Sequence, residues 1–67
     1  MNINKLKSKR VEKGFTQEYI AREIGMTTKT YNLKENGQSV FNIHEVKKIV
    51  SILNIEPNEA YEIFLKI

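Results

Sequence analysis

The segment "IGMTTKTYNLKENG", residues 24–37, carries the side chains with the clearest capacity for recognition. Its polar residues include three threonines in a row of four, a lysine, and asparagines at 32 and 36. At about 100° per residue, a helix over this segment gathers Thr28, Lys29, Asn32, Leu33 and Asn36 on one side. Tyr31, Lys34 and Glu35 fall on the other side, with Tyr31 as the core anchor, and Thr30 lies at the boundary. Amides, a hydroxyl and a cation on one helix face are the groups that read base edges in a major groove. Asn bonds adenine, Lys reaches guanine acceptors, Thr serves either role, and an apolar side chain touches a thymine methyl. A solvated surface helix also shows a polar face, so the face needs support from the elements around it.

Those elements are helical throughout. The first helix covers roughly residues 4–13, with Ile3, Leu6 and Val11 apolar and Gly14 as its stop. Thr16 is the N-cap of the second, and Phe15 with Ile20 forms a staple across its start. Ile20, Ala21 and Ile24 make its inner face, and Gly25 ends it. Thr27 caps the third helix, Met26 and Tyr31 staple it, and Asn36-Gly37 terminates it. Asn42 caps the fourth, with Glu45 at capping-box spacing and Phe41 with Val46 as a staple. Its inner face is Ile43, Val46, Ile49, Val50 and Leu53, at spacings of three and four. Pro57 opens the fifth, which runs to about Leu65. No alternation lasts long enough to argue for a strand. The second and third helices are joined by a short turn containing Gly25, and small Ala21 suits their close approach.

Composition narrows the function. The 67 residues form one domain, 1–67, with a single small core. There is no cysteine and only one histidine, which removes thiol chemistry and disulfides and leaves no convincing metal site. With no Gly-rich phosphate loop and no evident carboxylate pair, no enzyme activity and no cofactor are expected. No apolar run approaches a membrane span or a signal peptide, so no membrane partner and a cytoplasmic location are expected. The charge is uneven: residues 1–34 hold eight Lys/Arg against three Glu, and residues 35–67 hold three Lys against five Glu. A basic N-terminal half suits an anionic partner such as nucleic acid. The free N–H groups at Thr16-Gln17, with the Gln17 amide, suit a phosphate. His44, beside the fourth helix's cap, reads as a surface residue.

The stretch "LKSKRVEKGFTQEYIAREIGMTTKTYNLKENG" resembles the helix-turn-helix domain of the Cro and phage-repressor family. The shared pattern is a basic first helix, then Gly14 to Glu18 (GFTQE), Ala21 to Gly25 (AREIG) and Glu35 to Gly37 (ENG). The segment "TYNLKENGQSVFNIHEVKKIVSIL" is also similar to small phage-associated Cro-like proteins. The resemblance implies an all-α, five-helix, lambda-repressor-like fold with a central helix-turn-helix. It implies a homodimer on a double-stranded DNA operator of two half-sites, with the third helix in the major groove.

Carried over by position, Thr28, Lys29, Asn32 and Leu33 are the base-reading candidates. Thr16, Gln17, Thr27, Asn36, Gln38 and Ser39 are the phosphate candidates, and Arg10 with Glu35 is a structural ion pair. Leu33-Lys34 inverts the polar-apolar order many members have there, and Tyr19 stands where a capping-box Glu is usual. The fifth helix carries two apolar stripes, Tyr61/Phe64/Leu65 and Ala60/Ile63/Ile67. The first is expected to cover the core, and Ala60, Ile63 and Ile67 to meet a second copy. No small-molecule ligand is expected: if these 67 residues are the whole protein, they leave no room for a sensing domain beside the helices. A protein-interaction module on the same fold, antitoxin- or adaptor-like, is the competing expectation.

Overall fold

A computed structural model describes residues 1–66 and contains no strand among them. Five helices follow in order: α1 (Ile3–Glu12), α2 (Gln17–Ile24), α3 (Thr28–Glu35), α4 (Ile43–Leu53) and α5 (Pro57–Ala60). The fifth continues without a break into a π-helical turn, Tyr61–Leu65. The all-α, five-helix architecture expected from the sequence is therefore present among the described residues.

The helix starts are built by local side chains. Asn2 Oδ1 accepts from the Lys5 N–H, Thr16 Oγ1 from the Tyr19 N–H, and Thr27 Oγ1 from the Thr30 N–H, at 3.0–3.1 Å. Asn42 and Glu45 form a complete capping box, each side chain bonding the other's backbone N–H. Each cap satisfies an orphan donor and is worth about 1 kcal/mol. The α2–α3 turn passes through Gly25 at φ +83°, a left-handed conformation that costs glycine little. The Met26 N–H then bonds the Ala21 carbonyl, which fixes where α3 begins.

Leu6, Ile20, Ala21, Ile24, Tyr31, Phe41, Ile49, Leu53, Ile55 and Ile63 form one buried cluster. Ala21 is small where α2 packs between α3 and α4. The two chain ends are tied together: the Asn2 N–H donates to the Ile63 carbonyl at 2.6 Å.

Packing departs from the sequence pattern at several positions. Val11 and Ile43 are exposed rather than core-facing. Each sits at an apolar position of its helix, but the helix is rotated so that Leu6, or Ile49 and Leu53, takes the core side. Phe15 stacks on Tyr19, with centroids 4.8 Å apart and planes at 9°. Tyr19 thus packs in place of the usual capping-box Glu. Ile63, expected at a dimer interface, is 2% exposed and lies in the chain's own core. Ala60 is half-buried against the same cluster, and Ile67 lies outside the described residues. The stripe left open on the last helix is instead Tyr61 and Leu65, 55% and 69% exposed.

Candidate nucleic-acid interface

The face of α3 that points outward is the one its sequence dressed in polar groups. Thr28, Lys29 and Leu33 are exposed, and Asn32 and Asn36 are half-buried. The opposite face is locked. Tyr31 and Glu35 have no exposed surface. Lys34 is largely buried and reaches Glu45 Oε1 on α4 at 2.7 Å. Only one face of α3 is therefore free to meet another molecule.

Glu35 is the anchor of this arrangement. Its two oxygens receive four hydrogen bonds: Arg10 Nε at 2.9 Å, Arg10 Nη2 at 3.1 Å, Gln17 Nε2 at 2.9 Å and the Tyr31 hydroxyl at 2.6 Å. Four donors fill the acceptor capacity of a carboxylate, so the charge is buried but fully satisfied. Burial pushes the Glu35 carboxyl up, yet the bonds from Arg10, Tyr31 and Gln17 outweigh it and hold the group below its ordinary range. Burial pushes the Tyr31 phenol well up, and its bond to the Glu35 carboxylate adds to the rise. Arg10 also donates through Nη1 to the Phe15 carbonyl at 2.8 Å. A single guanidinium thus ties α1 to the turn before α2 and to the end of α3. The Arg10–Glu35 pair takes the place the sequence resemblance gave it.

The candidate phosphate residues have different situations. Gln17 sits at the first position of α2, but its amide is engaged: Nε2 bonds Glu35, and Oε1 accepts from Asn32 Nδ2 at 3.1 Å. The Thr27 hydroxyl accepts from the Thr30 N–H and donates to Thr30 Oγ1 at 3.0 Å, so its polarity is used within the helix start. The Thr16 hydroxyl accepts its cap bond and keeps its hydrogen for another partner. Asn36 is the C-cap of α3, and the N–H groups of Gln38 and Ser39 both bond the Leu33 carbonyl. The Gln38 and Ser39 side chains are exposed just past the helix end.

Part of the charge asymmetry of the sequence is taken up by ion pairs within the molecule. Lys5 pairs with Glu62, Lys9 with Glu12 and Glu59, Arg10 with Glu35, and Lys34 with Glu45. Four of the eight cations of residues 1–34 are engaged, mostly by acids of the second half. Arg22 lies over the Tyr19 ring, 5.9 Å from its centroid. Lys7, Lys13 and Lys29 have no ion-pair partner among the described residues. Of these, Lys29 stands in the first turn of α3, on its open face. Sequence reading missed the Lys34–Glu45 link and the Gln17–Asn32 bond. Both join side chains more than ten residues apart, and neither has a local spacing signal.

A family model of helix-turn-helix proteins, of the Cro/C1 type, matches residues 6–59. The chain belongs to this helix-turn-helix family. The match runs from within α1 into α5 and includes every residue of the Glu35 network. No curated protein and no solved structure matches the chain. The helix-turn-helix is therefore a DNA-binding unit, with α2 and α3 as its two helices and α3 as the one whose outer face is open. No helix among the described residues is long and apolar enough to cross a membrane.

Proposed function

We propose that this helix-turn-helix protein is a sequence-specific transcriptional regulator of repressor type that binds a palindromic operator as a homodimer in the cytoplasm. The observation that carries the reading is the two-sidedness of α3. Its inner side is held by a satisfied buried carboxylate, and its outer side offers Thr28, Lys29, Asn32 and Leu33. A helix fixed so firmly presents its outer groups at constant spacing, as base reading requires. Thr16, Gln38 and Ser39 flank that face and are assigned to phosphate contacts that set its register. Occupying the operator blocks polymerase, which gives the repressor activity.

Dimerisation is assigned to the exposed apolar surface beside the last helix. Met1, Val40, Ile43, Tyr61 and Leu65 border one cavity of about 760 Å³, floored by Phe41, Val46 and Phe64. Five exposed large hydrophobics around one depression exceed what scattered surface residues supply, and such a patch suits a second copy across a twofold axis.

Selection of bound duplexes from a random pool, at two salt concentrations, tests the reading. A palindrome with half-site centres about one helical turn apart, with affinity falling steeply as salt rises, is expected. Asn32→Ala should relax preference at one or two base pairs by roughly 1–3 kcal/mol. No enriched motif, together with salt-tolerant capture of a protein partner through the apolar depression, would replace it with the protein-interaction reading.

A further inference from the structure

We infer that Gln17 is a positioning residue that transmits the polarity of the buried Glu35 carboxylate to Asn32, so that Asn32 offers DNA a hydrogen-bond acceptor and reads a base amino group. The inference rests on the base-reading role proposed above for Asn32. It adds which end of the amide is presented, and what enforces it.

The argument is one of hydrogen-bond direction. A carboxylate only accepts. Glu35 Oε1 lies 2.9 Å from the Gln17 side-chain amide, so the Gln17 atom facing it must be the nitrogen. The reverse orientation would set two acceptors against each other beside a charge with no exposed surface. With its nitrogen committed, Gln17 turns its oxygen the other way, toward α3. The Asn32 atom 3.1 Å from that oxygen must then be Nδ2. Asn32 Oδ1 makes no side-chain hydrogen bond among the described residues, and it is not a buried orphan. It is the accessible end of the amide.

An asparagine free to turn about its last torsion offers either end to a base, and so discriminates poorly between amino and keto edges. Here the rotation is blocked by a chain that begins at a charge held on all four acceptor sites. The exposed acceptor matches the N6 amine of adenine or the N4 amine of cytosine. It opposes guanine O6 and thymine O4, which are themselves acceptors. A phosphate contact by the remaining Gln17 N–H is compatible with this role, but would affect all sequences alike.

The test uses the intact chain and its Gln17→Met, Asn32→Ala and doubly substituted variants. Each is titrated against the selected operator and against random duplex. A third duplex lacks the exocyclic amine at the base pair whose preference Asn32→Ala relaxes, with purine replacing adenine or 2-pyrimidinone replacing cytosine. The original protein should lose about tenfold on the amine-deleted operator, and both single variants should lose little. The double variant should discriminate no less than Asn32→Ala alone.

Should Asn32→Ala relax no position, the base-reading assignment itself fails. If it relaxes one, yet Gln17→Met keeps the full amine preference, the relay is overturned while DNA reading stands. Insensitivity of the original protein to amine deletion overturns the acceptor assignment. Nuclear magnetic resonance of the unsubstituted protein covers the case of a variant that does not fold. Slowly exchanging Asn32 side-chain amide protons with a cross-relaxation contact to Gln17 are expected, and rapidly averaging ones overturn the relay.

Discussion

The Tyr31 hydroxyl lies 2.6 Å from Glu35 Oε2, one turn away on the buried side of α3. α3 therefore satisfies part of its own buried charge, and Arg10 and Gln17 supply the rest from α1 and α2. The members of this network do not contribute equally. Tyr31→Phe removes one neutral donor and leaves the guanidinium in place, so it should cost about 1–3 kcal/mol. Arg10→Met strips the carboxylate of its counter-charge and should cost about 3–5 kcal/mol. Urea denaturation at neutral pH reads both, and equal losses would refute the ranking.

Stability should fall at both ends of the pH range, for separate reasons. Burial raises the Glu35 carboxyl, but its hydrogen bonds more than reverse this, and it ends below its ordinary 4.5. Glu45 behaves in the same way through burial opposed by Lys34, while Lys9 lowers Glu59 and Lys5 lowers Glu62. A carboxyl lowered by folding stabilises the protein above its unfolded value and loses that contribution as the pH falls through the folded one. Urea midpoints should thus hold near neutrality and drop below about pH 4.5. Tyr31 is raised above its ordinary 10.0 by burial and by Glu35, so its contribution is complete below that value and lost as the pH climbs past it. Tyr31→Phe should flatten the alkaline limb and, because it removes one of the donors that lower Glu35, make the acid limb shallower as well.

What the sequence made legible was what depends on near neighbours. Caps at Thr16, Thr27 and Asn42 could be read because a cap is a bond between residues three apart. The inner face of α2 could be read because Ile20, Ala21 and Ile24 repeat at helical spacing. Val11 and Ile43 could not, because which side of a helix meets the core is decided by its neighbours. The last helix was misjudged for the same reason. Beyond Ala60 the chain follows a π turn, with the Lys66 N–H bonding the Tyr61 carbonyl five residues back. At either rotation per residue Ile63 falls opposite Tyr61 and Leu65; what the spacing leaves open is which side meets the core, and packing gives that side to Ile63. Likewise, the outward face of α3 was visible in its residue types, but the Gln17–Asn32 bond across fifteen residues was not.

Gly37 should be harder to replace than Gly25. Both have φ near +83°, where a side chain is strained by about 1–2 kcal/mol. A Cβ on Gly25 meets open space, whereas one on Gly37 would lie 2.8 Å from Ile3 Cδ1. Gly37→Ala must therefore also displace a side chain of α1. Its excess cost over Gly25→Ala should disappear in an Ile3→Val background, which lacks that methyl. Thermal or urea unfolding of the four proteins settles it, and an excess that survives Ile3→Val would place the obstacle elsewhere.

Two apolar residues two positions apart should separate assembly from folding. Ile63 is buried in the core and Leu65 is 69% exposed. Ile63→Ala removes packed methyl groups and should destabilise the monomer by about 2–5 kcal/mol. Leu65→Ser removes nothing the monomer uses. If Leu65 and Tyr61 meet a second copy, losing one such burial is worth roughly 1.5–3 kcal/mol, or a ten- to hundredfold weaker dimer. Sedimentation velocity over a concentration series, with and without operator duplex, should show Leu65→Ser folded but shifted toward monomer. Half-site affinity should be unchanged, because α3 is untouched, while cooperative filling of the second half-site weakens. A Leu65→Ser protein that dimerises like the original would mean that two copies meet through some other surface, and that the depression beside the π turn serves a different contact.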